Sequence, residues 1–317
     1  MRLVMMGTGP FAVPTFRELF ATSHTVVALV TSPLRPARGP DPAPGSFIRE
    51  VAREHGTPVF DPEAVNCPES RERLRSYQAD LLVTCDYGQI LAVETLATAR
   101  LGGINLHASL LPKYRGAAPI NWALYHGETE TGVTVIHMTP QVDAGPCIAQ
   151  LATPIGPDET APQIEIRLAE LGAELACQTI DALAVGPMQA LPQDPALASK
   201  APRLKKTDGA IDWPRPAAAI SNQVRAFEPW PKCYTYWHRA AGTPMRWIVG
   251  PIKVVDTPST GEPGIVLEAA GDRILIATGH QVAQLTELQP AGKRPLGIEA
   301  FLRGYRVRAG ERLGPEG

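Results

Sequence analysis

The sequence predicts an α/β, Rossmann-like domain with a parallel-rich sheet, followed by a small β-barrel of OB-like type. Across the first 185 residues, short β-rich runs alternate with helical patterns, the order expected of βαβ units. Beyond about residue 205 the pattern changes to short strands broken by Gly and Pro, as in a small antiparallel barrel. Between the two, residues 186–202 hold four prolines and follow no helical or strand period. The expected organisation is therefore a catalytic domain at 1–189, a linker at 190–205 and a barrel domain at 206–317.

The first domain opens with a strand over 3–6, a helix over 11–21 and a strand over 25–31. Residues 33–45 carry five prolines and two glycines and read as an exposed loop. Helices are expected over 47–54, 119–125 and 161–184, and strands over 81–84, 103–106, 133–138 and 147–152. In the second domain, strands are expected over 244–249, 252–255, 264–268, 273–277 and 282–288.

The chain has 317 residues, 44% hydrophobic and 20% charged, enough for two packed domains. No apolar run reaches the roughly 18 residues that a membrane span requires. The start, MRLVMMGTG, reads as a buried strand with no signal-peptide pattern. The expectation is a cytoplasmic monomer with no membrane contact. Five cysteines, Cys67, Cys85, Cys147, Cys177 and Cys233, are scattered without a CxxC pair, so no disulfide framework and no metal site is expected. The formal charge of -2 conceals a split. Residues 1–202 carry 14 basic and 21 acidic side chains, and residues 203–317 carry 16 and 11, a surplus of +5. A basic second half is compatible with a polyanionic partner, although the surplus is modest.

Gly7-Thr8-Gly9-Pro10-Phe11-Ala12 follows a strand and opens a helix, which formally satisfies the GxGxxA dinucleotide pattern. The second strand, however, ends Val30-Thr31-Ser32-Pro33, without the acidic residue that holds a ribose. Pro10 also removes a backbone donor where a pyrophosphate needs one. A tight strand-to-helix turn is the simpler account. Arg35 and Arg38 leave NADP open as an alternative.

The densest chemistry lies between Gly103 and Gly116, where an apolar strand delivers Asn105 and His107 to its carboxyl end. Alternation puts both on one face, and open α/β sheets bind ligands beyond those strand ends. After another apolar strand, Gln141-Val142-Asp143-Ala144-Gly145 adds a carboxylate on a loop. Amide, imidazole and carboxylate are the set that acyl transfer to an amine requires, because the attack creates an oxyanion and releases a proton. Asn105 and protonated His107 are suited to meet the oxyanion, and Asp143 to hold the imidazole and relay the proton. The same residue types also serve as turn and strand-end side chains, and sequence alone does not show that His107 and Asp143 meet. His126 and His137 are weaker candidates, the first at a helix end and the second inside a strand.

The run INLHASLLPKYRGAAPINWAL at 104–124 resembles the signature of the folate-dependent formyltransferases. The resemblance extends along the chain through MGTGPFAVPTF at 6–16, CDYGQIL at 85–91, ETGVTVIHMTPQVDAGP at 130–146, DGAIDW at 208–213, RAFEPWP at 225–231 and LQPAGK at 288–293. It implies that Asn105, His107 and Asp143 form a catalytic triad. Ser109, Leu110, Leu111 and Pro112, with Tyr87, Gly88, Ile90 and Val142, would line the site for the folate. It further implies 10-formyltetrahydrofolate as donor, no metal, and the α-amine of initiator methionyl-tRNA as acceptor. Contacts to that tRNA would come from Arg35, Arg38, Lys205, Lys206, Lys293 and Arg294. The chain departs from the family pattern at Gly9-Pro10, where Pro-Glu is usual, at Asp86, where a small apolar residue is usual, and at Ala92, where a proline is usual. The early loop also lacks the family's lysines.

Three other activities remain to be distinguished: formyl transfer to an amino sugar nucleotide or other small amine, an NADP-binding oxidoreductase using the Gly7–Ala12 turn, and a non-catalytic RNA-binding protein.

Overall fold

A computed structural model describes residues 1–34, 45–239 and 242–316. The chain forms two compact units. The first comprises residues 1–119, 130–155 and 163–202, and the second residues 120–129, 156–162 and 203–317.

In chain order the first half contains β1 (Arg2–Gly7), α1 (Ala12–Ala21), β2 (Thr25–Val30), α2 (Ser46–Glu54), β3 (Val59–Phe60), α3 (Pro68–Ser76), β4 (Leu81–Cys85), α4 (Val93–Leu96), β5 (Gly103–His107), β6 (Arg115–Gly116), α5 (Pro119–Tyr125), β7 (Glu130–His137), β8 (Cys147–Pro154), α6 (Ala161–Val185) and β9 (Lys200–Ala201). The first unit is built on a seven-stranded sheet of order β3-β2-β1-β4-β5-β7-β8. The β3 to β5 portion is parallel, and β7 and β8 run antiparallel beside it. This is the parallel-rich, Rossmann-like α/β domain expected from the sequence. Strands β1 and β4 are buried along almost their whole length, as expected where helices cover both faces of a sheet. Along β1, for example, every residue after Arg2 is buried.

Helix α1 buries Ala12, Thr15, Phe16 and Leu19, the i, i+3, i+4, i+7 stripe of a core-facing helix. Helix α6 buries Ile164, Leu168, Ala169, Ala173, Ala176, Cys177 and Ile180. At Gly172 it passes so near β5 that an added Cβ would lie 2.8 Å from Leu106 Cδ2, and the Leu106 side chain would have to shift to admit it. The strand that carries Asn105 and His107 is thus backed by a closely packed helix.

The second half continues with α7 (Ala217–Ala226), β10 (Cys233–His238), β11 (Met245–Val249), β12 (Ile252–Val255), β13 (Val266–Ala270), β14 (Arg273–Ala277), β15 (Val282–Leu285), β16 (Glu287–Pro290), β17 (Leu296–Gly297), α8 (Ile298–Gly304) and β18 (Arg312–Gly314). The strands form a five-stranded sheet, β17-β16-β11-β10-β18, and a four-stranded sheet, β12-β15-β14-β13. The single strand expected over 282–288 is two strands, one in each sheet, and β11 and β12 likewise change sheet between Val249 and Ile252. Thr286 marks the corner, its hydroxyl donating to the Pro251 carbonyl at 2.6 Å. Strands that bend from one sheet into the other give the barrel-like form of this unit.

By packing, most of α5 belongs to the second unit, where Trp122 and Tyr125 meet the Phe227 ring at centroid distances of 5.9 and 5.4 Å. Residues 190–202, expected as linker, are part of the first unit. Leu191 and Cys147 exchange two backbone hydrogen bonds of 2.8 Å, and β9 pairs with β6.

Candidate active site

The carboxyl end of β5 carries the site. Asn105 lies opposite Ile136 and His107 opposite Thr134 of β7, so alternation places both side chains on one face of the sheet. Asp143 reaches them from the loop between β7 and β8. Its Oδ1 accepts from Asn105 Nδ2 at 3.2 Å, and its Oδ2 lies 3.5 Å from His107 Nδ1. The Gly116 amide donates to the same Oδ2 at 2.9 Å. The three residues singled out by sequence are therefore brought together in one cluster.

His107 is only 6% exposed, and its Nε2 donates to the Tyr114 carbonyl at 2.9 Å. Both ring nitrogens face oxygens, Nε2 the Tyr114 carbonyl and Nδ1 the Asp143 carboxylate. Asn105 is oriented from behind by Thr84, whose Oγ lies 3.0 Å from Asn105 Oδ1 and 2.8 Å from the Ile104 carbonyl. The same hydroxyl also lies 3.0 Å from Met138 Sδ, so its one proton is shared among three acceptors.

Residues 109–112 are held by a second polar set. Thr134 Oγ donates to the Ser109 carbonyl at 2.6 Å and accepts from the Leu111 amide at 3.2 Å. Gln150 Nε2 donates to the Leu111 carbonyl at 3.0 Å and to Thr134 Oγ at 2.9 Å. Ser109 Oγ turns back to the Lys113 carbonyl at 2.7 Å, Leu111 is buried, Leu110 is half-buried, and the Leu111–Pro112 peptide is cis.

After β4, Tyr87 is buried in the core and Gly88 adopts φ 85°, a left-handed conformation suited to glycine. Ile90 and Val142 leave large apolar surfaces open, at 58% and 49% exposure. In the second unit Lys205, Lys206, Lys293 and Arg294 are exposed. Arg35 and Arg38 lie outside the described residues. Among the competing histidines, His137 is half-buried in β7 with its pKa lowered by burial, and His126 stacks on Trp122 at 5.9 Å.

Asp86 sits where its carboxylate covers the glycine turn: a Cβ added to Gly9 would fall 1.5 Å from Asp86 Oδ2. The side chain reaches solvent but is crowded by protein. That desolvation, with the nearby Glu165 charge, raises its pKa to about 6. The turn is closed from the other side too, since a Cβ on Gly7 would meet the Cys85 carbonyl at 2.8 Å. A carboxylate over the turn opposes a pyrophosphate there, which counts against the dinucleotide alternative.

Sequence reasoning did not assign roles to Thr84, Tyr114, Gly116, Thr134, Gln150 or Gln193. Tyr114 and Gly116 act through backbone atoms, which leave no side-chain signature, and the others depend on pairings distant in sequence.

Residues 1–180 match the model for the formyl transferase family, and residues 203–306 match the model for the formyl transferase C-terminal domain. The chain belongs to the formyl transferase family. It is 42% identical to a methionyl-tRNA formyltransferase of Geobacter sulfurreducens, over 100% of this chain and 98% of the relative. It is 43% identical to a methionyl-tRNA formyltransferase of Citrifermentans bemidjiense, over 99% of this chain and 96% of the relative. Among solved structures it resembles the N-formyltransferase of Helicobacter canadensis, determined with folinic acid and dTDP-3-aminofucose. The TM-score is 0.68 at 17% identity, covering 91% of this chain and 98% of that one, a likeness of fold. Among the described residues of this formyltransferase, no group of three or more His, Cys, Asp or Glu side chains is arranged to hold a metal ion. No described helix is long and apolar enough to cross a membrane.

Proposed function

We propose that this formyltransferase carries the formyl group of 10-formyltetrahydrofolate to the α-amine of methionine esterified to initiator tRNA, giving N-formylmethionyl-tRNA for translation initiation. The observation that carries the reading is 42–43% identity to methionyl-tRNA formyltransferases through both units, over at least 96% of each relative. The enzyme then works in the cytoplasm as a monomer.

Attack of the amine nitrogen on the formyl carbon forms the new C–N bond and places negative charge on the formyl oxygen. Asn105 Nδ2 has a second hydrogen beyond the one given to Asp143, and that hydrogen is the donor for the oxyanion. Protonated His107 adds positive charge beside it. As the bond to the folate nitrogen breaks, Asp143 takes the proton lost by the amine and His107 hands one to the leaving nitrogen. The apolar surfaces of Ile90 and Val142 suit one face of a planar pterin. Ser109 and Leu111 contribute by shaping the loop, because their side chains turn inward. Lys205, Lys206, Lys293 and Arg294 are free to meet tRNA phosphates from the basic second half.

The deciding experiment offers 10-formyltetrahydrofolate with charged initiator tRNA, with free methionine and with a nucleotide-linked amino sugar. Rapid formylation of the tRNA alone is expected. Absence of a tRNA product, or preference for the sugar, refutes the proposal.

A further inference from the structure

We infer that Gln193, in the proline-rich segment after α6, is a positioning residue for formyl transfer: it holds the loop that presents Asp143. This rests on the reading of Asp143 as catalytic.

Gln193 Nε2 donates to two carbonyls of the loop, Asp143 O at 2.8 Å and Gly145 O at 2.7 Å. Its Oε1 accepts from Arg115 Nε at 3.0 Å and Nη2 at 2.7 Å. All four hydrogen-bonding positions of the amide are thereby used, and a flipped amide would set oxygen against two carbonyls and NH2 against a guanidinium. Gly116, next to Arg115, donates its amide to Asp143 Oδ2 at 2.9 Å. A closed ring results, running from Arg115 through Gln193 to the Asp143 backbone, and from the Asp143 carboxylate back through Gly116.

The loop needs such a hold. Asp143 has φ 50°, a left-handed conformation that Asp enters more readily than most residues with a Cβ but at a greater cost than glycine, so contacts that hold the loop favour it. The hydrogen bonds within the loop are long: Ala144 N to Gln141 O is 3.4 Å, and Thr139 Oγ to Gln141 O is 3.2 Å. Gln193 adds two short bonds to the loop backbone, beside the Gly116 bond to the Asp143 carboxylate. Gln193 is itself fixed on both sides, by the Leu191–Cys147 pair and by Ser199, whose carbonyl accepts from the Arg115 amide at 2.9 Å and whose hydroxyl accepts from the Tyr114 amide at 2.9 Å. The segment that sequence marks as linker thus braces the two backbone positions that hold His107 and Asp143.

The test is a mutant cycle on the full chain with Gln193→Ala, Gln193→Glu, Asp143→Ala and the double variant Gln193→Ala/Asp143→Ala. Gln193→Glu keeps the size and the Arg115 contacts but turns a carboxylate on the two loop carbonyls. It also carries the test should Gln193→Ala melt early. Both Gln193 variants are expected to lower kcat about 10- to 50-fold while KM for either substrate moves less than about threefold, because Gln193 acts through Asp143. In the Asp143→Ala background, Gln193→Ala should cost less than about twofold, the non-additivity of two groups in one network. Wild-type kcat in Gln193→Glu, or an undiminished loss in the Asp143→Ala background, overturns the inference. Near-normal turnover in Asp143→Ala alone removes Asp143 from the mechanism and the inference with it. A slow Asp143→Ala enzyme beside a fast Gln193→Glu enzyme overturns the inference only.

Discussion

Asp143→Asn is the most discriminating change at the site, because it preserves size and Asn tolerates the left-handed backbone required at φ 50°. The carboxylate accepts from two donors, Gly116 N at 2.9 Å and Asn105 Nδ2 at 3.2 Å, one on each oxygen. An amide has a single oxygen, so either orientation leaves one of those donors facing an NH2 group. In a side chain only 13% exposed, that loss destabilises the fold by roughly 1–3 kcal/mol. At about 2–4 °C per kcal/mol, the melting temperature should fall by several degrees. The catalytic cost is larger, because an amide cannot take the amine proton. Loss of an acid/base group lowers the rate about 10²- to 10⁴-fold, or about 3–5.5 kcal/mol of barrier. Single-turnover formyl transfer with saturating folate and charged tRNA measures it, alongside KM for each. A rate within about fivefold of wild type, or a loss confined to KM, would refute the assignment of Asp143 as proton acceptor.

Thr84→Val removes the hydroxyl that anchors Asn105 Oδ1 while keeping the shape of a buried side chain. The expected result is a roughly tenfold lower kcat with folate KM unchanged, read from steady-state kinetics. Asp86→Asn should change the pH dependence of stability. The folded-state pKa of Asp86 is raised from 3.8 to about 6, so between those pH values the folded chain binds more protons than the unfolded one and Asp86 costs stability as pH rises. Melting temperatures of Asp86→Asn and wild type should therefore agree most closely near pH 4, draw apart between pH 4 and 6 and hold a constant gap above pH 6, with the variant higher there by about 2 °C once solvent screening is allowed for. Replacing Lys205, Lys206, Lys293 and Arg294 by Ala should raise KM for tRNA at least about tenfold, flatten its salt dependence and leave kcat intact. Unchanged tRNA KM in that variant would remove the four from the tRNA surface.

Much of this protein is legible in the amino-acid order because its elements bury simple periods. Short apolar runs at Leu3–Met6 and Leu81–Thr84, too short for a helix and bounded by turn residues, read as strands covered on both faces. The stripe from Ala12 to Leu19 can only be a helix with one buried side. Elements without a strong period escape that reading. Helix α3, PESRERLRS, buries only Ser70 and Leu74, and β3 is two residues long. The alternation of Cys233, Thr235 and Trp237 was a usable signal for β10 that the pattern of neighbouring turns obscured.

At the site, sequence determined which groups stand at the end of β5, since a strand of period two leaves Asn105 and His107 no choice but one face. It did not determine their partners. That Asp143 meets both, that Tyr114 and Gly116 hold the imidazole and the carboxylate through backbone atoms, and that Gln193 clamps the loop from 50 residues away were decided by tertiary structure alone. Local periodicity reports which face a residue occupies. Contacts between distant segments depend on how strands order in the sheet and where the chain after α6 returns, and neither leaves a periodic trace in the sequence.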